Sequence, residues 1–241
     1  MECEEKVWFE VINNKKVFCV LSEPGDNQKK IVIMSHGFRG SNIGPARTFV
    51  DFGKLLNDNG FSVLRFDQPN SANSEGNYID SSFKEWVEII VYFGNKYLNM
   101  GYEIILLGQS MGATATMIAT NQQELKGKIK KIILWVPDPE TDFSENPIET
   151  GEEGGQLYKN SFWKEAMVMD FFGCMDEYEG RIHLVYGEND KYVGKELREQ
   201  TVDRVIKKGG KVMVLPGQDH SSWKFAQAQK VYQEELTFIK E

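Results

Sequence analysis

Six short runs, each almost wholly apolar, most constrain what this chain can become: 31–35 (IVIMS), 61–66 (FSVLRF), 102–107 (YEIILL), 130–136 (KKIILWV), 181–186 (RIHLVY) and 211–215 (KVMVL). A strand with one face in water alternates apolar and polar residues; a continuous run has both faces covered. Helical patterns separate most of the runs, at 46–59, 82–99, 111–124, 194–208 and 222–240. In 82–99, Phe83, Trp86, Val87, Ile90 and Tyr97 recur at helical spacing, and Ser82 with Glu85 offers a capping box. Such alternation predicts an α/β fold with a mostly parallel, doubly wound sheet between helices. Ahead of it, 6–12 (KVWFEVI) and 16–21 (KVFCVL) flank Asn13-Asn14, which predicts an antiparallel N-terminal hairpin.

The rhythm breaks once, at about 137–180. This stretch opens rich in Pro, Gly and acids and continues with Phe143, Tyr158, Phe162, Trp163, Phe171 and Phe172. It is too long for an ordinary connection in an α/β sheet. The expectation is one domain over 1–241 with a small cap inserted here; the alternative is a surface excursion with its own satellite core.

Composition narrows the partners. With 28 Lys and Arg against 36 Asp and Glu, the formal net charge is -8, the wrong sign for a nucleic-acid binder. Three widely spaced cysteines, Cys3, Cys19 and Cys174, form neither a disulfide framework nor a zinc motif. The N-terminal MECEEKVWFE lacks the basic-then-apolar pattern of a leader, and no run reaches the roughly 18 apolar residues of a membrane span. A cytoplasmic protein with no metal, no membrane span and no nucleic-acid partner is expected, as a monomer or homodimer.

In open α/β sheets the chemistry lies beyond the C-terminal strand ends. Gly108-Gln109-Ser110-Met111-Gly112 sits there, between the run 102–107 and a helix. A serine on so sharp a turn projects its hydroxyl above the sheet, and Gly108 and Gly112 let strand and helix approach. Ser110 is therefore the expected nucleophile, and it needs a base. Of the three histidines, His183 lies within a strand run, His36 follows the first parallel run, and His220 lies in a loop after the last. His220 is the expected base. Asp190, after the run 181–186, is the expected acid that orients it, with Asp138 and Glu188 as rivals and Asp219 read as a turn residue. The expected oxyanion donors are the backbone N–H groups of Met111 and Phe38. Gly37 and Gly40 would let the Phe38 loop fold tightly, and His36 would support it by hydrogen bonding.

Together, His36-Gly37-Phe38, Phe66-Asp67, GQSMG at 108–112, GENDKYV at 187–193 and Asp219-His220 resemble the serine α/β-hydrolases, most closely bacterial cinnamoyl/feruloyl-type esterases and monoglyceride-lipase-like carboxylesterases. The resemblance spans nearly the whole chain. It implies the α/β-hydrolase fold, a Ser-His-Asp triad and no cofactor. One stretch departs from it: Asn70 and Ala72 stand where such esterases carry glycines, so that loop is expected to take a different path. A serine carboxylesterase acting on a small-molecule ester follows, and the apolar, Met-rich inserted stretch suggests an apolar or aromatic acyl group. A thioesterase or acyltransferase would use the same triad, and a non-catalytic binding module on this fold is the reading from another class.

Overall fold

A computed structural model describes residues 3–26, 28–139, 146 and 148–241. Strands β1 (Cys3–Ile12) and β2 (Lys15–Pro24) form the antiparallel hairpin. Its turn residues, Asn13 and Asn14, have φ of 50° and 63°, left-handed as a tight hairpin turn requires. The chain continues through β3 (Lys30–Ser35), α1 (Thr48–Asn57), β4 (Ser62–Phe66), α2 (Phe83–Asn99), β5 (Glu103–Gln109), α3 (Met111–Ala119) and β6 (Lys131–Trp135). Next come a small hairpin, β7 (Thr150–Glu153) with β8 (Gln156–Lys159), then α4 (Ser161–Val168) and α5 (Phe171–Glu177). The last elements are β9 (Arg181–Gly187), α6 (Lys195–Lys207), β10 (Lys211–Leu215) and α7 (Phe225–Lys240).

The eight-stranded sheet has the order β1-β2-β4-β3-β5-β6-β9-β10. β2 joins β4 antiparallel, and every pairing from β4 to β10 is parallel. Flanking helices group as α1 with α7, and α2, α3, α5 and α6 in succession. Ile31 through Met34 are at most 1% exposed, so β3 is covered on both faces, the condition that made its sequence a continuous apolar run. β1 at the sheet edge differs: Val7, Phe9 and Val11 are more than half exposed. Its Glu10 accepts hydrogen bonds from Trp8 Nε1, Tyr92 Oη and Lys96 Nζ.

Ser82 caps α2, its Oγ accepting from Glu85 N at 3.2 Å. The reciprocal half of the capping box is missing, because the Glu85 carboxylate is taken by Lys15 at 2.8 Å. Glu165 of α4 completes the helix entrance instead, accepting from Ser82 Oγ at 2.7 Å and Lys84 N at 3.0 Å. A carboxylate there satisfies free N–H groups and the positive end of the helix dipole. α3 is shorter than its pattern suggests and stops at Ala119. There Thr120 Oγ1 donates to Met117 O at 2.6 Å, while Asn121 N and Gln122 N reach carbonyls only three residues back.

His183 is buried as a strand residue beneath α7. Its Nδ1 lies 2.5 Å from Glu235 Oε2, and Trp135 Nε1 donates to Glu235 Oε1 at 2.8 Å. This network occupies all three polar groups and keeps His183 away from the sheet's C-terminal rim.

The loop after β4 does not avoid the strained geometry expected to divert it. Asn70 has φ 64° and Ala72 φ 47°, so both adopt the conformation glycine favours. Bonds to the two residues that follow hold Ala72 there. Asp67 Oδ2 accepts from Asn73 N at 3.1 Å and Asn73 Nδ2 at 3.0 Å, and Ser74 Oγ donates to Asp67 O and accepts from Phe18 N. Left-handed geometry costs a non-glycine residue about 1–2 kcal/mol. Ala72→Gly, at an exposed site, is expected to stabilise the fold by a net of about 0.5–1 kcal/mol, after subtracting glycine's greater unfolded-state freedom. The check is a urea midpoint that rises with the slope unchanged.

Among the described residues no helix is long and apolar enough to cross a membrane.

Candidate active site

The turn at Ser110 is steric in origin. Ser110 has φ 55° and ψ -129°, a combination that side chains rarely adopt and that persists only when the surroundings enforce it. A Cβ on Gly108 would lie 2.3 Å from Gly112 O and 2.5 Å from Ala113 Cα. One on Gly112 would lie 2.3 Å from both Ser35 O and His36 O. Both glycines thus permit the contacts of β5 with α3 and of α3 with the end of β3. Ser110 N donates to Trp135 O at 2.8 Å, which ties the turn to the neighbouring strand β6. The side chain is left partly exposed.

Three residues from separate loops meet in one hydrogen-bonded line. Ser110 Oγ is 2.8 Å from His220 Nε2, and His220 Nδ1 is 2.7 Å from Asp190 Oδ2. The other Asp190 oxygen accepts from Tyr192 N at 2.9 Å and Val193 N at 3.0 Å. With Nδ1–H donating to the carboxylate, Nε2 is the ring nitrogen left to accept from the serine hydroxyl. His220 is 7% exposed and the Asp190 side chain is fully buried, so water barely competes for this bond. The His220 loop lies directly on the end of β9: a Cβ on Gly187 would be 2.2 Å from Asp219 O. Asp219 Oδ1 accepts from His220 N and from Lys191 N, joining the two loops as a turn residue. Its carboxyl is held below the ordinary aspartate range, chiefly by the His220 N–H.

Neither rival acid is bonded to His220. Glu188 is exposed and accepts from Gly217 N at 2.7 Å. The Asp138 main chain bonds Thr114 Oγ1 through both its carbonyl and its N–H. Burial, aided by the nearby charge of Asp190, pushes the Asp138 carboxyl up to about 7. A carboxyl raised in the folded state makes folding take up a proton. Its destabilising effect is therefore absent below about pH 4, the ordinary aspartate value, and grows as pH rises through about 7. Asp138→Asn is expected to melt above wild type at pH 8 and level with it at pH 4, by roughly 2–4 °C per kcal/mol recovered in a chain of this size. Turnover should stay near wild type, and thermal melts at the two pH values with initial rates check both statements.

The loop after β3 lies against the serine. A Cβ on Gly37 would be 2.7 Å from Ser110 Cβ and 2.9 Å from Gln109 O, so only glycine lets the next residue, Phe38, come this near. Gly40 N donates to Gly37 O at 2.9 Å, closing a turn. Neither Phe38 N–H nor Met111 N–H has a protein acceptor among the described residues. His36 supports this loop from beneath. It is fully buried, its Nε2 accepts from Gln68 N at 2.9 Å, and its Nδ1 is 2.8 Å from Gly37 O. Burial holds it below the ordinary histidine range, so it is neutral and both ring nitrogens are occupied.

Around the Phe38 ring stand Tyr78 at 5.3 Å, Tyr158 at 5.3 Å, Phe162 at 5.3 Å and Trp163 at 4.5 Å between centroids. Three of these come from the stretch expected to be inserted. Phe171 and Phe172 do not join them; they contact each other, with the Arg204 guanidinium 4.2 Å above Phe172. Phe143 lies outside the described residues. On the other side, the Tyr192 ring is 5.1 Å from the His220 imidazole and two-thirds exposed. Tyr78, Gln68 and Tyr192 have places here that the sequence did not announce. Gln68 adjoins the Phe66-Asp67 pair and Tyr192 lies within GENDKYV, whereas Tyr78 stands in no motif.

This architecture has known counterparts. A family model described as "Serine aminopeptidase, S33" matches residues 26–142. Est1E from Butyrivibrio proteoclasticus, solved with ferulic acid bound, superposes with a TM-score of 0.83 at 21% identity, covering 98% of this chain and 100% of that one. The α/β hydrolase GrgF from Penicillium sp. sh18 gives a TM-score of 0.79 at 14% identity, over 100% and 98% of the two chains. A thioesterase domain from the curacin biosynthetic pathway gives 0.70 at 14% identity, over 97% and 99%. No curated protein sequence matches this one significantly.

Proposed function

We propose that this chain, which has the α/β-hydrolase fold, hydrolyses carboxylic esters through an acyl-enzyme formed on Ser110. The observation that carries this reading is the line Ser110 Oγ, His220 Nε2, His220 Nδ1, Asp190 Oδ2, with successive separations of 2.8 Å and 2.7 Å across its two hydrogen bonds. In the first half-reaction Ser110 Oγ attacks the acyl carbon while His220 Nε2 takes its proton. The imidazolium, stabilised by Asp190, returns that proton to the leaving alkoxide, and the alcohol departs. In the second, water loses a proton to His220 and attacks the acyl-enzyme; the acid leaves and Ser110 regains its proton. Both tetrahedral intermediates bear a negative oxygen. The free N–H groups of Phe38 and Met111 are its donors, aided by the positive end of α3.

The stretch 137–180 acts as a cap in this reading, and its Tyr158, Phe162 and Trp163 give the acyl side an aromatic wall beside Phe38. An apolar or aromatic acyl group of modest size suits such a wall, and the ferulic acid bound to Est1E supports that class. Hydrolysis of a thioester is a second reading, favoured by the likeness to a thioesterase domain, and transfer of the acyl group to another acceptor would use the same triad.

The test is a panel of p-nitrophenyl and cinnamoyl-type esters with and without competing acceptors, together with a serine-directed fluorophosphonate. Turnover with label on the Ser110 peptide is expected. Label on another serine, or no turnover of any ester, would overturn the proposal; acyl products formed only with an acceptor would favour transfer.

A further inference from the structure

The turn that presents the Phe38 N–H holds an arginine where the backbone favours glycine. Gly40 N closes the turn on Gly37 O, and Arg39, the third residue, has φ 57°. Turns with positive φ at that place ordinarily carry Gly or Asn, and a relaxed arginine would rotate the Phe38–Arg39 peptide. Two anchors from outside the loop oppose that rotation. Arg39 N donates to Tyr78 Oη at 2.6 Å, and Arg39 Nη2 pairs with Glu153 Oε1 at 2.7 Å. The guanidinium lies so close on the β7–β8 turn that a Cβ on Gly154 would be 1.9 Å from Nη1. The anchors are themselves joined, since Lys159 of β8 pairs with Asp80, two residues from Tyr78, at 2.7 Å. Strain kept in place by several independent contacts is the pattern of a positioned functional group.

We propose that Tyr78, seconded by the Arg39–Glu153 pair, is a positioning residue: by holding the Arg39 N–H it locks the strained Gly37–Gly40 turn, and the locked turn fixes the preceding Gly37–Phe38 peptide so that the Phe38 N–H faces the developing oxyanion. Neither residue touches the reacting atoms, and the proposal rests on the hydrolase reading above. It makes the β7–β8 hairpin part of the apparatus that sets the oxyanion donor, so that seating of the hairpin and turnover are coupled.

Tyr78→Phe keeps the ring against Phe38 and removes only the hydroxyl. Loss of a whole oxyanion donor costs about 10²–10³ in kcat, so a donor that is misaimed but present should lower kcat about tenfold with KM little changed. Affinity for a trifluoromethyl ketone, whose serine adduct carries an oxyanion, should fall by the same factor. Glu153→Gln should act in the same sense and less. Amide hydrogen exchange at Arg39 reads the anchor whether or not ester is turned over, and should quicken in Tyr78→Phe. An unchanged kcat, a loss confined to KM or melting temperature, or unaltered exchange would overturn the proposal. A wild-type chain inert to every ester and every serine-directed probe would fell the hydrolase reading and the oxyanion role with it, and exchange that still quickened would identify that as the failure.

Discussion

Ser110→Ala is expected to reduce ester turnover by roughly 10⁶-fold while leaving the fold intact, since removal of a triad serine elsewhere costs about that factor. The physical case is direct: among the described residues Ser110 Oγ is the hydroxyl bonded to His220 Nε2, and alanine has no atom with which to form the acyl bond. The fold should tolerate the change. Alanine keeps the same Cβ at φ 55°, so the strain of the turn is neither relieved nor increased, and the one bond lost is that from Oγ to His220 Nε2. The measurement pairs initial rates with a thermal melt and fluorophosphonate labelling. Rates and label should vanish together with the melting temperature nearly unmoved. A variant that keeps substantial turnover would remove Ser110 from the mechanism, whatever its stability.

Asp190→Asn carries the second-largest expected effect, a loss of about 10⁴-fold in kcat. Asparagine is isosteric, and its carbonyl can still accept from Tyr192 N and Val193 N as Asp190 Oδ1 does. That choice turns its NH₂ group towards His220 Nδ1, where the carboxylate oxygen stood at 2.7 Å. An NH₂ donor there requires an unprotonated Nδ1, so the proton moves to Nε2, which can no longer accept from Ser110. The defect is one of tautomer, with substrate binding untouched, so kcat should fall far more than KM changes. Asp138→Asn is the control. It lies after the neighbouring strand β6, and its main chain serves Thr114, so it should leave the rate nearly alone. If Asp138→Asn lost the activity and Asp190→Asn kept it, the acid would have to be reassigned.

What could be read without coordinates, and what could not, divides along the range of the forces involved. Continuous apolar runs specify strands covered on both faces because burial acts residue by residue, and β3 and β5 lie in the middle of the sheet accordingly; the run of β10 departs from this, because it ends up at the sheet edge with Val214 half exposed. Asn13-Asn14 specifies a hairpin because its cause, a left-handed turn, is contained in two residues. The Gly-x-Ser-x-Gly spacing specifies a tight strand-to-helix turn for the same reason. Ala72 shows the limit of that logic. Its intrinsic preference argues against positive φ, yet Asp67 and Phe18, bonded to Asn73 and Ser74 of the same turn, hold it there from outside. Likewise Glu85 was legible as half of a capping box, but Lys15, 70 residues away in the chain, takes its carboxylate.

From sequence alone the chain determined its parallel α/β sheet, its N-terminal hairpin and the loops on which Ser110, Asp190 and His220 lie, because each follows from sterics or burial within a few consecutive residues. Only the tertiary structure decided that Asp190 and not Glu188 faces His220, that Tyr158, Phe162 and Trp163 but not Phe171 gather at Phe38, and that Tyr78 and Glu153 hold Arg39. Those are distances between groups as far apart in the chain as Phe38 and Trp163. They are set by strand order and by where each loop comes to rest, and no local pattern encodes either.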